Sequence, residues 1–303
     1  MNNRVKLGVT ALGILIISAG VFYACKKDRG DSVINGDGVL KTELNTLNNE
    51  IYSQMDISTQ KLDWGRIAGQ ALAVAGADAI GTYEGFKIGA AIGAAFGPQG
   101  AATGGTIGGV ICGGGASYTA GVTVGVFKSM PPESSLNELS SKYSDFNISG
   151  ILHNRYLNLL VEKSTDVEPQ TIYSQIFIDV PYLDIDIYNK IFEKLGHKSQ
   201  HSDEMLSLIN NYVRNDFNID ILLNQYKEKF GMSKEAEEVW HSFFEMYFSV
   251  TKIEEAYLVI ERYIDFIQES GSKFLTSDEI NSFNAAFSVA LHSTNYWSIL
   301  TKE

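Results

Sequence analysis

The chain has 303 residues, enough for one large domain or two ordinary ones, with 45% hydrophobic and 20% charged residues. Residues 131–303 carry 14 Lys and Arg against 27 Asp and Glu, whereas residues 1–130 carry 10 against 9. An acidic half repels nucleic-acid phosphates and anionic headgroups, which excludes nucleic acid as a partner; the two cysteines, Cys25 and Cys112, exclude a disulfide framework once Cys25 is otherwise engaged.

Arg4 and Lys6 precede an uncharged run of 18 residues, Leu7 to Ala24, rich in Leu, Ile, Val and Gly. These are the positive and apolar regions of an export signal. The run ends in Phe22-Tyr23-Ala24-Cys25, which resembles a lipobox, where a small residue precedes a cysteine whose thiol receives diacylglycerol before cleavage. Lys26-Lys27-Asp28 resembles the start of mature Bacteroidota lipoproteins. The resemblance implies a signal peptide over 1–24, a lipidated, palmitate-bearing Cys25 on a polar tether over 25–38, and a place in the cell envelope. The expected anchor is in the outer membrane, with either the periplasmic or the surface face open. The alternative is an uncleaved signal anchor, since 18 apolar residues just span a bilayer. Both place the rest of the chain outside the cytoplasm.

Over 39–64, Leu40, Leu44, Leu47, Ile51 and Met55 recur at spacings of three and four and predict an amphipathic packing helix.

Residues 66–129 carry the most informative pattern. Of 28 glycines, 17 lie between Gly69 and Gly125. Gly81, Gly85, Gly89, Gly93 and Gly97 recur every four residues, and the register resumes with Gly105, Gly109, Gly113, the small Ser117, Gly121 and Gly125. Such spacing lines one slowly drifting face of a helix. Each helical glycine costs about 1 kcal/mol relative to Ala, so close backbone approach is the compensation the pattern demands, as in small-xxx-small packing. Gly97-Pro98-Gln99-Gly100 is the predicted turn between helices over 66–96 and 101–127, closing as an antiparallel hairpin. Cys112, within Ile111-Cys112-Gly113, reads as a small buried apolar residue.

Lys87 and Lys128 bracket 40 uncharged residues, and each arm is long enough for a hydrocarbon layer of about 30 Å. Asp78, Glu84 and Lys87 in the first arm oppose insertion, since each charge is costly near a bilayer centre. The hairpin therefore packs in a membrane, between copies of the chain, or within the protein itself. The segment resembles glycine-zipper regions of membrane-active bacterial peptides and of exported lipoproteins. That resemblance implies close helix packing and no catalytic residue or substrate.

Met130-Pro131-Pro132 marks a boundary, beyond which 131–303 reads as an acidic helical bundle. Helical spacing recurs near 135–146, 149–163, 169–179, 183–196 and 202–229. The clearest stripe, 234–269, includes Ala236, Val239, Phe243, Met246, Val250, Ile253, Tyr257, Ile260, Ile264 and Ile267, widened by Trp240, Phe244 and Tyr247. Thr276-Ser277-Asp278-Glu279 reads as a capping box opening a last helix to Leu300. The fold class expected is mainly α: a glycine-zipper antiparallel hairpin followed by an all-α bundle.

Motifs for chemistry are incomplete. His197 and His201 share helical spacing with Glu193 one turn earlier, but Gly196 and Lys198-Ser199-Gln200 read as a loop, so no metal site is expected. Asp216-Phe217-Asn218-Ile219-Asp220 begins like a calcium loop, yet Ile221 and Lys227 stand where glycine and a bidentate Glu are needed. Gly125-Val126-Phe127-Lys128-Ser129 lacks the glycine before the lysine of a phosphate loop, and Gly115-Ala116-Ser117-Tyr118-Thr119 is not a nucleophile elbow. Glu235, Glu237 and Glu238 suit a helix N-terminus.

The function expected is a non-enzymatic, lipid-anchored envelope protein without cofactor, bound to a membrane through Cys25. Its zipper associates helices in a membrane or between copies, in a membrane-active or toxin-like version among others. The runner-up is a structural or binding lipoprotein with the hairpin buried. An extracytoplasmic enzyme ranks third.

Overall fold

Leu40, Leu44 and Ile51 are the buried face of the first described helix, α1 (Asp37–Gln54), with Leu47 and Met55 partly buried beside them. The computed structural model describes residues 37–55, 66–124, 147–163, 167–180, 183–195, 200–215 and 218–300. Cys25, Gly125, His197 and the helix expected over 135–146 lie outside these residues, as does the second half of the 39–64 segment.

The glycine-rich region forms α2 (Arg66–Gly93), a 3₁₀ turn (Ala94–Phe96) and α3 (Gly97–Val124). The turn sits earlier than the spacing predicted. Gly97 adopts φ +81°, a left-handed conformation that suits glycine, and Pro98 occupies the first turn of α3, where its missing N–H is no loss. The chain continues through α4 (Asn147–Lys163), α5 (Pro169–Ile172) with a π turn (Tyr173–Phe177), α6 (Ile185–Leu195), α7 (Gln200–Arg214), α8 (Ile219–Phe230), α9 (Lys234–Tyr247), α10 (Ile253–Ser270) and α11 (Ser277–Leu300). The protein is mainly α, and the described residues contain no strand.

Two predicted helices are each broken in two. The stripe over 234–269 is interrupted at 248–252, because Glu255 accepts hydrogen bonds from the backbone N–H of Thr251 (2.7 Å) and Lys252 (3.1 Å) and from Thr251 Oγ1 (3.1 Å). That carboxylate caps a new helix. Both pieces bury the same face, so the apolar periodicity runs on across the break and hides it. The segment 202–229 breaks likewise, with Asn218 capping α8 through the Ile221 N–H at 3.2 Å. Thr276 and Glu279 bond each other's backbone reciprocally, as the sequence predicts, at 2.9 and 3.3 Å.

The stem of the hairpin is enclosed by the later helices. α11 lies along α2, α4 packs against both α3 and α11, and α6 and α7 cover α3. α10 backs α11, and α1 rests on α9 and α10, where Tyr263, Asn48 and Ser242 close a hydrogen-bonded ring of 2.7–3.0 Å. Residues 37–303 thus form one compact unit. Its centre is aromatic: Tyr83 of α2 meets Phe283 of α11 at 4.7 Å and Trp240 of α9 edge-on at 5.7 Å, while Trp240 stacks on Phe244 at 5.2 Å. All of these rings are buried. Among the described residues, no helix is long and apolar enough to cross a membrane.

Candidate functional site

A side-chain-free seam joins the two arms of the hairpin. A methyl group on Gly89 would fall on the Gly104 carbonyl, one on Gly93 on the Gly100 carbonyl, and one on Gly85 on the Gly108 carbonyl; the converse holds for Gly104, Gly100 and Gly108. Gly81 continues this line, where a Cβ would lie 3.0 Å from that of Ala116. The two backbones therefore touch, with no room for even alanine.

The second-arm glycines of the seam are thus Gly100, Gly104 and Gly108. Gly105 and Gly109, one position further on, face the side chains of Phe86 and Thr82 instead. Neighbouring positions are turned about 100° around a helix, so the two ladders look in different directions. Gly113 faces the Thr82 hydroxyl, the Asp78 carbonyl and the His153 ring. Gly121 is buried in α3. Gly97 is the pivot of the turn and has open space around it.

Beside the seam, around Gly113, lies a buried polar centre built from four helices. Asp78 (α2) accepts on Oδ2 from Ser117 Oγ of α3 at 2.9 Å, from Ser293 Oγ of α11, and from Trp297 Nε1 of α11 at 3.4 Å. His153 (α4) has its Nε2 3.8 Å from the same oxygen, with both side chains fully buried. That distance exceeds a hydrogen bond.

Burial pushes the Asp78 carboxyl up to about 8, against the lowering effect of the Ser293, Ser117 and Trp297 hydrogen bonds. Burial also holds His153 down to about 4, despite the hydrogen bond to the Asn154 side chain that works the other way. At pH 7 the two are neutral neighbours and not an ion pair. Asp78 Oδ1, Thr82 Oγ1 and His153 Nε2 are buried without a hydrogen-bond partner.

A polar seam between α4 and α11 holds His153 in place. His153 Nδ1 is 3.0 Å from Asn154 Oδ1, and Asn154 Nδ2 donates to the His292 carbonyl at 3.2 Å. The Gly150 N–H donates to Ser288 Oγ at 3.1 Å, His292 Nε2 lies 3.1 Å from Asn147 Oδ1, and the Tyr296 hydroxyl donates to Asn158 Oδ1 at 3.0 Å. A methyl on Gly150 would strike the His292 ring, so glycine admits close approach here too.

One and a half turns along α2, Glu84 is buried next to Lys87, whose Nζ lies 3.4 Å away. Burial raises this carboxyl to about 7, offset in part by Lys87 and reinforced by Glu279. Cys112 is a free, buried thiol, as the sequence suggests, and burial pushes it up to about 12.

Serine, histidine and aspartate thus meet in the interior, but the Ser117 hydroxyl is committed to the carboxyl and not to the imidazole. A nucleophile needs a base within hydrogen-bond reach of its proton, and Ser117 is hydrogen-bonded to a carboxyl that is itself largely protonated. The centre can orient helices and hold protons. Of the expected metal-spaced residues, Glu193 lies in α6 and His201 in α7; no group of three or more His, Cys, Asp or Glu suited to a metal occurs among the described residues. Comparison with protein-family models, with curated proteins and with solved structures finds no match to this chain.

Proposed function

We propose that the chain is a non-enzymatic, lipid-anchored cell-envelope protein in which the glycine hairpin is the packing spine of a helical binding or scaffolding module. The observation that carries this reading is the backbone contact of Gly85, Gly89 and Gly93 with Gly108, Gly104 and Gly100, inside a shell of later helices. It gives the glycine repeat a use that requires neither a bilayer nor a second copy. The Ala24-Cys25 junction supports the anchor. Cys25→Ala is expected to abolish incorporation of radiolabelled palmitate, and equal labelling of wild type and variant would sink the anchor.

A second reading, in which the hairpin leaves its shell and enters a membrane, is favoured by one observation. The two carboxyls of its first arm, Asp78 and Glu84, are both displaced toward the neutral form by burial, which lowers the charge the arm would carry across. The readings separate in a dye-release assay. Vesicles remain sealed with the full chain if the hairpin is a spine, and leak if it inserts.

A further inference from the structure

We infer that the tip of the hairpin, residues 90–102, is a wedge that dips into the interfacial layer of a lipid bilayer while the stem stays packed in the bundle. It shares with the proposed function only the location at a membrane.

Along this stretch Ala91, Ala94, Ala95, Phe96 and Pro98 are exposed, and Ala90, Ile92, Ala101 and Ala102 are half-buried. Gln99 is the one polar side chain in the stretch, and no charge falls anywhere in residues 88–127. Elsewhere among the described residues the exposed large hydrophobics Val39, Tyr52, Val122, Ile178 and Phe248 lie far apart in sequence, the ordinary condition of a protein surface. At the tip Phe96 is the one such residue, but it stands in an unbroken exposed apolar run with Ala94, Ala95 and, past Gly97, Pro98, and contiguity is what calls for a partner.

Three features specify lipid as that partner. The tip is convex: the 3₁₀ turn Ala94–Phe96 packs chiefly on its own two arms, so it offers a knob and no groove, and a fluid phase accommodates a knob of any shape. Its backbone is already satisfied where a turn is most vulnerable. The Gly97 N–H donates to the Ala94 carbonyl, and Pro98 has no N–H to leave orphaned, as entry into a low-dielectric layer requires. Finally, the knob carries one basic side chain. Lys190, exposed on α6, has its Nζ 4.4 Å from the centroid of the Phe96 ring. A long basic side chain that covers an apolar body and presents an ammonium above it matches the phosphate level of a bilayer.

The test places an environment-sensitive NBD fluorophore on the full chain at Ala95→Cys, with Ile178→Cys as a control on another exposed apolar site. The protein is reconstituted in zwitterionic phosphatidylcholine vesicles. Cys112 is buried and protonated and does not react, and Cys25 is blocked where it is acylated. The probe at 95 is expected to lose its emission to nitroxide-bearing lipid and to resist aqueous iodide, with the reverse at 178; Phe96→Asp in the Ala95→Cys background restores iodide access. Equal iodide quenching at 95 and 178 overturns the wedge. Shielding from iodide without quenching by nitroxide lipid also overturns it, and assigns the tip to a second copy of the chain. Labelling of wild type at Cys25 would count against the anchor alone. The comparison of positions, repeated in a Cys25→Ala background, then still decides the wedge.

Discussion

Trp297, in the last helix, donates its indole N–H to Asp78 Oδ2 at 3.4 Å and so ties the end of the bundle to the first arm of the hairpin. The same oxygen takes the hydroxyls of Ser117 and Ser293. One carboxyl therefore joins both arms of the hairpin to α11, and its protonation state bears on all three.

This centre makes stability fall as pH rises. In the fold, burial holds Asp78 near 8, whereas an unfolded Asp releases its proton near 3.9. Between these values the folded state binds one more proton than the unfolded, so stability is highest on the acid side and is lost as pH rises through the folded value. From pH 7 to 8, Glu84, at about 7, gives up its remaining half proton and adds a smaller loss of the same sign, whereas His153, at about 4, is neutral in the fold and mostly neutral in the unfolded chain. Over that interval Asp78 accounts for a loss of about 1 kcal/mol, read from urea midpoints at the two pH values. Asp78→Asn is expected to flatten the slope, and a variant as pH-sensitive as wild type would remove Asp78 from this role.

The glycine seam sets packing against propensity. Replacing Gly89 and Gly93 with Leu gains roughly 1 kcal/mol per site in intrinsic helicity. Each new side chain, however, begins on a backbone carbonyl of the opposite arm, and main chain yields far less than a flexible side chain, so the loss is expected to exceed the ~1–3 kcal/mol typical of overpacking. The double variant melts well below wild type. Gly38→Ala is the control: Gly38 lies in α1 with open space around it, and alanine there raises stability by about 0.5–1 kcal/mol. A seam variant as stable as wild type would reduce the four-residue repeat to composition.

Glu255 is the cap that divides α9 from α10. Its carboxylate collects two backbone N–H groups and one hydroxyl, so Glu255→Ala is expected to lower stability by about 1–2 kcal/mol, measured by thermal melting. Glu254→Ala, one position earlier and exposed, leaves the melt close to wild type.

Much of the architecture was legible in the sequence. The mainly α class, the antiparallel hairpin and the Thr276–Glu279 cap are written locally, in a four-residue period and in residues three apart. The seam was legible on the first arm and ambiguous on the second. There, Gly100, Gly104 and Gly108 run beside Gly105, Gly109 and Gly113, one residue apart, and spacing does not say which ladder faces the other helix. The break at 248–252 escaped notice because both flanking helices bury one continuous stripe. The polar centre was not legible at all. Asp78 and His153 are separated by half the hairpin and a linker, no spacing rule relates them, and Asp78, with Glu84 and Lys87, read simply as an obstacle to insertion.

The seam has a further consequence for how the hairpin finds its alignment. Ordinary helix pairs are indexed by shape, each bulky residue fitting one hollow and no other. A glycine repeat has no such index, because sliding one arm by four residues brings glycine back to glycine. The turn at Gly97 resists that slide from one end, and near the other end the Ser117 hydroxyl finds Asp78 in one alignment only. The carboxyl therefore acts as a detent: it selects one among several nearly equivalent positions that packing alone would leave degenerate.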